Sequence, residues 1–212
     1  MCSSDLVKNL ICLKKSRNLS KVDVRTQRKI LNMAIEIEKK YRLSADQKQF
    51  VLDSLEEVGA EFMGEDFEEN IIYGGGILDE KRAVLRVRKT QDKTILTFKQ
   101  RIPSEFAVKQ QIEHESEVAN AEEVGKIIEN LGFVPRLIYE KRRKTWNFRQ
   151  VEIVLDELPF GLFLEIEGSI MAIAETEMYL DIEDFTAEHK TYPNLTFEHG
   201  IRQGELIEAR FV

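Results

Sequence analysis

The chain has 212 residues, 42% hydrophobic and 33% charged, with a formal net charge of −7. That length supports one sizeable core with an appendage, and the charged fraction exceeds the usual quarter of a globular domain. Cys2 and Cys12 are the only cysteines, which excludes a disulfide framework or a cysteine metal site, and no apolar run approaches the roughly 20 residues of a membrane span.

Residues 1–32 hold eight Lys/Arg against Asp5 and Asp23, a net of +6, while the remainder holds 23 basic and 36 acidic groups, a net of −13. The expected organisation is a basic extension over 1–32, disordered or preceding a natural start at Met33, followed by an acidic domain over 33–212. An acidic body argues against a general nucleic-acid surface, which needs a basic footprint. Leu6–Leu13 is short, is interrupted by Lys8 and lacks a cleavage site, so the expected compartment is the cytoplasm.

Residues 34–42 alternate with period 2, placing Glu36, Glu38, Lys40 and Arg42 on one face and Ile35, Ile37 and Tyr41 on the other. Ser44-Ala45-Asp46-Gln47 has capping-box spacing and predicts a helix through Val51, Leu55 and Val58 to Gly59. Residues 60–65 and 70–73 are two short strand candidates. Gly74-Gly75-Gly76 then reads as a flexible turn, because no helix start and no Lys-Ser/Thr follows as a phosphate loop requires.

Charged strands come next. Arg86 and Arg88 share one face of 83–90 opposite Leu85 and Val87, and Lys99 and Arg101 share one face of 93–101. Residues 109–118 align Gln111, Glu113, Glu115 and Glu117. Asn120 caps a helix closed by Gly132 and Pro135. Lys141 and Arg143 share a face within 137–146, Glu152 and Asp156 within 150–156, and Glu165 and Glu167 within 162–168. Ser169 caps a helix through Leu180, and 183–192 is a candidate short helix before an uninformative tail. The repeated strand–helix–strands order reads as an internal duplication carried by architecture.

Seven strands thus carry two or more charges on one face, six of them at i and i+2. With those faces solvated, the apolar faces stack as a two-sheet sandwich. With them turned inward, the chain forms a water-filled barrel of about eight strands, wide enough for one small ligand. In that second geometry the bases repel one another without an anion, by about 4 kcal/mol per pair at ~4 Å and an effective dielectric of ~20. The carboxylates, with no Cys or clustered His among them, are an oxygen-only donor set that suits Mg2+ or Mn2+. A basic wall facing a carboxylate wall is a site for a polyphosphate.

These strands resemble the CYTH domain, the triphosphate tunnel metalloenzymes that include class IV adenylate cyclases and thiamine triphosphatases. The signature Glu-x-Glu-x-Lys is matched by Glu36, Glu38 and Lys40, the Arg-x-Arg strand by Arg86 and Arg88, and the following lysine by Lys99. Glu113 and Glu115, Lys141 and Arg143, Asp156, and Glu165 with Glu167 match the later motifs in order. The resemblance covers about residues 33–195. It implies an α+β fold, an eight-stranded antiparallel β-barrel forming a tunnel with helices packed outside. It also implies catalytic Glu36, Glu38 and Lys40, and triphosphate binding by Lys40, Arg86, Arg88, Lys99, Lys141 and Arg143. A Mg2+ or Mn2+ ion would be held by Glu36, Glu38, Glu113, Glu115, Asp156, Glu165 and Glu167.

The chain departs from the family at Gly74-Gly75-Gly76, where relatives often carry Asp-Thr-Pro. Thr191-Tyr192…Leu195 is loosely similar to a family Ser-Tyr…Leu-Leu, with Lys190 a marginal candidate beside it. His114 and His189 read as structural histidines. The implied ligand is a small triphosphate (ATP, tripolyphosphate or thiamine triphosphate), with no nucleic acid and no membrane, in a monomer or homodimer. Cyclisation and hydrolysis share the same motif residues, and a non-catalytic nucleotide- or polyphosphate-binding module is the alternative.

Overall fold

The structure is a computed structural model that describes residues 37–102 and 110–212. The expectations for 1–32 and for Glu36 lie outside the described residues, as do those for the side chains of Arg101 and Gln111.

The first strand is β1 (Glu38–Leu43), followed by helix α1 (Ala45–Glu57), which starts as its capping box requires. Ser44 Oγ accepts from Gln47 N, and the Gln47 side chain accepts from Ser44 N. The two short strand candidates that follow are one 14-residue strand, β2 (Glu61–Gly74), with a bulge between Phe62 and Gly64. The glycines do lead into a helix, the five-residue α2 (Ile77–Lys81), contrary to expectation. Gly75 and Gly76 turn the chain at φ of 107° and 50°, which only glycine adopts without strain.

Strands β3 (Ala83–Lys89), β4 (Thr94–Ile102) and β5 (Gln110–Val118) precede α3 (Ala121–Asn130), capped by Asn120. Then come β6 (Val134–Phe148), β7 (Val151–Leu158) and β8 (Gly161–Glu167), each within a few residues of expectation at both ends. Ser169 caps α4 (Ile170–Leu180). The last helix is not at 183–192 but at α5 (Tyr192–His199), capped by Thr191, and the tail is not featureless. It forms β9 (Ile201–Gln203) and β10 (Leu206–Ala209).

The principal sheet runs β1-β8-β7-β6-β2-β3-β4-β5, antiparallel throughout, and β10 adds to β6 in parallel. One sheet, and not two stacked ones, decides against the sandwich. The order maps onto itself when the two halves, β1–β4 and β5–β8, are exchanged. Each half's first strand pairs the last strand of the other half, which is the symmetry that the inferred duplication requires. Among the described residues β1 and β5 end the order and do not pair with each other.

Helices cover one face. α1 and α4 pack on β1, β6, β7 and β8 through Tyr41, Leu55, Ile153, Leu164, Ile166 and Ile173. α3 and α2 cover β2, β3 and β4 through Tyr73, Leu78, Val87 and Ile128. Behind β1, Tyr41 donates to Glu177 Oε1 at 2.5 Å, and Lys39 pairs with the same carboxylate. No helix among the described residues is long and apolar enough to cross a membrane.

Candidate functional site

The face that α1, α3 and α4 leave uncovered carries the charged motifs. Register places Lys40 beside Glu165, Arg143 beside Asp156, Lys141 beside Glu68, Asn70 beside Arg88, Arg86 beside Thr97, and Thr97 beside Glu115. Alternation then puts every one of these side chains on the same side. Lys40, Glu68, Asn70, Thr97, Lys141, Asp156 and Glu165 are nonetheless buried. The face is concave, since side chains meet across an intervening strand. Arg143 of β6 reaches Glu165 of β8, and Arg88 of β3 reaches Glu115 of β5.

Acids and bases interleave here, where the sequence reading expects a basic wall facing a carboxylate wall. Lys40 Nζ lies 3.0 Å from Glu165 Oε1 and 4.0 Å from the centre of the Tyr192 ring. Arg143 donates from Nε to Asp156 Oδ1 (2.8 Å), and from Nη2 to Asp156 Oδ2 (2.6 Å) and Glu165 Oε2 (2.9 Å). Lys141 Nζ stands 3.3 Å from both Glu68 Oε2 and Asp156 Oδ2. Arg86 donates to Thr97 Oγ1 and Glu115 Oε1, while Thr97 Oγ1 donates to the same Glu115 oxygen at 2.7 Å. Lys99 pairs with Glu113 at 2.7 Å.

Burial works against the charge of Asp156, but Lys141, Arg143 and hydrogen bonds from Arg143 and Tyr192 outweigh it and hold the carboxyl at about 2. Burial opposes the charge of Glu68 too, and Lys141, Arg143 and Arg88 again outweigh it, keeping its carboxyl below the usual range. Burial, together with Asp156 and Glu165, drives the Tyr192 phenol well above its ordinary value, so it remains a donor.

The sequence reading missed Glu68, Asn70 and Thr97 on this face. It also misplaced the helix that brings Tyr192, which donates to Asp156 Oδ2 at 2.8 Å. That helix, α5, closes one end of the concave face with Tyr192 and Leu195 against Ile72, Tyr139 and Phe163. Lys190 offers the face its carbonyl, which accepts from Lys40 at 3.3 Å, while its ammonium turns away to Glu198. His114 stacks on Phe98, a side chain of the helix-covered face, in keeping with a structural role.

Apart from Glu68, Asp156 and Glu165, which the bases engage directly, the acidic motif residues divide into two sets. Glu38, Glu167 and Glu152 stand in one cross-strand row over β1, β8 and β7, at the exposed rim beyond Glu165. Glu113 and Glu115 lie on β5, at the far end of the strand order, and are joined to Lys99 and to the Arg86–Arg88 pair. Among the described residues, which omit Glu36, no three His, Cys, Asp or Glu side chains are already gathered as a metal-binding group. A second cavity of about 250 Å3 touches Arg143 and Asp156, and its other bases are paired, Lys48 and Arg142 with Glu157 and Lys144 with Glu65.

The unmet groups are informative. The Nε of Arg86, the Nε of Arg88 and Oδ1 of Asn70 are buried with no hydrogen-bond partner among the described residues. Buried donors of this kind are rarely left unpaired, and here two belong to neighbouring guanidinium groups on one face.

The family model of the CYTH domain matches residues 34–202, a span containing every one of these motifs. The chain belongs to the CYTH family. A relative from Methanocaldococcus jannaschii, named "Putative adenylate cyclase MJ0240", is 29% identical over 149 residues, covering 68% of this chain and 84% of its own length. The PH1012 protein of Pyrococcus horikoshii OT3 has a similar structure, with a TM-score of 0.64 and 26% identity, covering 76% of this chain and 98% of that one. So has HpAC1 of Hippeastrum, described as a "putative adenylyl cyclase" with a dominant triphosphatase activity. Its TM-score is 0.59 at 18% identity, covering 80% of this chain and 97% of its own. These likenesses make the concave charged face the inner wall of the CYTH tunnel barrel.

Proposed function

We propose that this CYTH protein is a metal-dependent enzyme acting on a small triphosphate bound along the charged tunnel wall. It would either cyclise ATP to cyclic AMP and pyrophosphate, or hydrolyse tripolyphosphate or an organic triphosphate. The observation that carries this reading is the pair of buried guanidinium nitrogens without a partner among the described residues, Arg86 Nε and Arg88 Nε, on a wall that also holds Lys40, Lys99, Lys141 and Arg143. Guanidinium groups bind phosphate oxygens through charge-assisted hydrogen bonds, and a phosphate chain meets several such donors at once.

In this reading Lys40, Arg86, Arg88, Lys99, Lys141 and Arg143 grip and align the chain of phosphates. Asp156 and Glu165 hold Arg143, Lys141 and Lys40 in position, so that the bases are oriented before substrate arrives. The donor chemistry fits a hard cation. Glu38 and Glu167 form an all-oxygen, water-accessible row joined by Glu152, with Glu36 preceding it in sequence, and Asp156, Glu165, Glu113 and Glu115 complete the proposed ligand set. A Mg2+ or Mn2+ ion held there supplies charge neutralisation at the phosphate oxygens. Glu36, Glu38 and Lys40 are the residues proposed to act at the reacting phosphorus.

A non-catalytic nucleotide- or polyphosphate-binding module is the second reading. It draws on the engagement of Asp156 and Glu165 with bases, which binding alone would also employ. The names of the M. jannaschii and Hippeastrum relatives favour chemistry over binding alone. The deciding experiment offers the purified protein tripolyphosphate, ATP and thiamine triphosphate with Mg2+ or Mn2+, and quantifies phosphate, pyrophosphate and cyclic AMP. Binding with no product from any of the three would leave only the module.

A further inference from the structure

Glu68 stands among the bases of the tunnel wall. It lies on β2 opposite Lys141 of β6, and its side chain is 5% exposed. Its Oε2 is 3.3 Å from Lys141 Nζ, and its Oε1 is 4.0 Å from both Arg88 Nη1 and Arg143 Nε. Asn70, two residues on and fully buried, donates from Nδ2 to Oε2 at 3.2 Å and steadies the carboxylate. One anion therefore lies against three cations from β3 and β6, all three of which the triphosphate reading assigns to the substrate.

A carboxylate so placed is a poor general base, because its charge is already stabilised from several sides and its oxygens face cations. Its position is instead that of an anionic group of the ligand. Without Glu68, Arg88, Lys141 and Arg143 would confront one another in a buried space, keeping among the described residues the counter-charges of Asp156, Glu165 and Glu115, which Lys40 and Arg86 share, at a substantial repulsive cost. With it, the empty wall is balanced, and an arriving phosphate chain must share those cations with a fixed negative charge.

We propose that Glu68 is a built-in stand-in for substrate phosphate. It holds the three bases together in the empty tunnel and weakens triphosphate binding by remaining beside it, so that it sets affinity and eases release. The proposal rests on the triphosphate reading of the same site. It differs from a merely structural role in one respect: stability and affinity must move in opposite directions when the charge is removed.

The test compares wild type, Glu68→Gln and Glu68→Asp by thermal melting and by calorimetric binding of tripolyphosphate at fixed salt. Glu68→Gln removes the charge at nearly constant shape. Its empty form should melt several degrees below wild type while its tripolyphosphate Kd falls at least tenfold and its ligand-induced melting shift grows. Glu68→Asp keeps the charge, so its Kd should stay within about threefold of wild type even though the shorter side chain lowers the melting temperature. If the empty Glu68→Gln protein does not fold at the working temperature, millimolar tripolyphosphate should restore a cooperative transition. A folded Glu68→Gln protein that binds tripolyphosphate no better than wild type overturns the stand-in role alone. Wild type that binds no tripolyphosphate overturns the triphosphate reading and this inference with it.

Discussion

Arg143 and Asp156 meet across β6 and β7 as a two-point pair, Nε to Oδ1 at 2.8 Å and Nη2 to Oδ2 at 2.6 Å, on the inner wall of the barrel. Asp156 is also the point where β6, β7 and α5 converge, since Lys141 and the Tyr192 hydroxyl reach the same Oδ2. Asp156→Asn leaves Arg143 and Lys141 short of a buried counter-charge, and breaking a buried pair from one side costs about 3–5 kcal/mol. Urea denaturation should show a loss in that range. A loss under 1 kcal/mol would mean that Glu165 and Glu68 suffice for both bases.

The same carboxyl predicts an acid limb. Its folded value of about 2 lies below the ordinary 3.8, so ionised Asp156 favours the native state. That contribution is fully present above the unfolded value and fades as pH falls toward 2, to a total of about 2 kcal/mol. Wild type should therefore lose stability between roughly pH 5 and 2 more steeply than Asp156→Asn, measured as the denaturation midpoint against pH. Parallel profiles would remove Asp156 as a source of the slope.

Tyr192→Phe isolates the contact between α5 and the wall. It deletes one hydrogen bond to a charged acceptor, worth about 1.5–3 kcal/mol, and leaves the ring beneath Lys40 in place. The melting temperature should fall, with Asp156→Asn and Tyr192→Phe less than additive in a double-mutant cycle because they share that bond. Strict additivity would show that the hydroxyl acts elsewhere.

How much of this was legible in the sequence depended on contrast between the two faces of each strand. Arg86 and Arg88 stood out because Leu85 and Val87 mark the opposite, helix-covered face, and Glu165 and Glu167 because Leu164 and Ile166 do the same. β2 gave no such contrast. Glu69, on its outward face, is itself charged and pairs with Lys89 and Arg210, so Glu68-Glu69-Asn70 shows three successive polar residues in place of alternation. The bulge between Phe62 and Gly64 also breaks the alternation where the strand begins. α5 was displaced because its start rests on one cap, Thr191 Oγ1 accepting from Asn194 N at 3.4 Å, rather than on a long apolar period. β9 and β10 have three and four residues, too few for a period to register. Interleaving of acids among the bases was invisible in principle, because register between distant strands is not written in any single segment.

Glu165 and Glu167 sit two residues apart on the same face of β8, and the structure separates what the pattern had joined. Glu165 is buried between Lys40 and Arg143, so Glu165→Gln strips counter-charge from two bases and should cost about 2–4 kcal/mol of stability. Glu167 is exposed at the rim beside Glu38 and Glu152, where a near-isosteric change of an exposed side chain shifts stability little, so Glu167→Gln should change the fold by less than about 1 kcal/mol. Both belong to the proposed cation-binding set, and both variants should lose tripolyphosphate turnover with Mg2+ or Mn2+. Glu167→Gln is the cleaner probe, because lost turnover in a protein of unchanged melting temperature cannot be blamed on the fold. The measurement is turnover with and without excess chelator, alongside thermal melts of wild type and both variants. Full turnover in Glu167→Gln, or in wild type under chelator, would sink the assignment of these carboxylates to a metal ion.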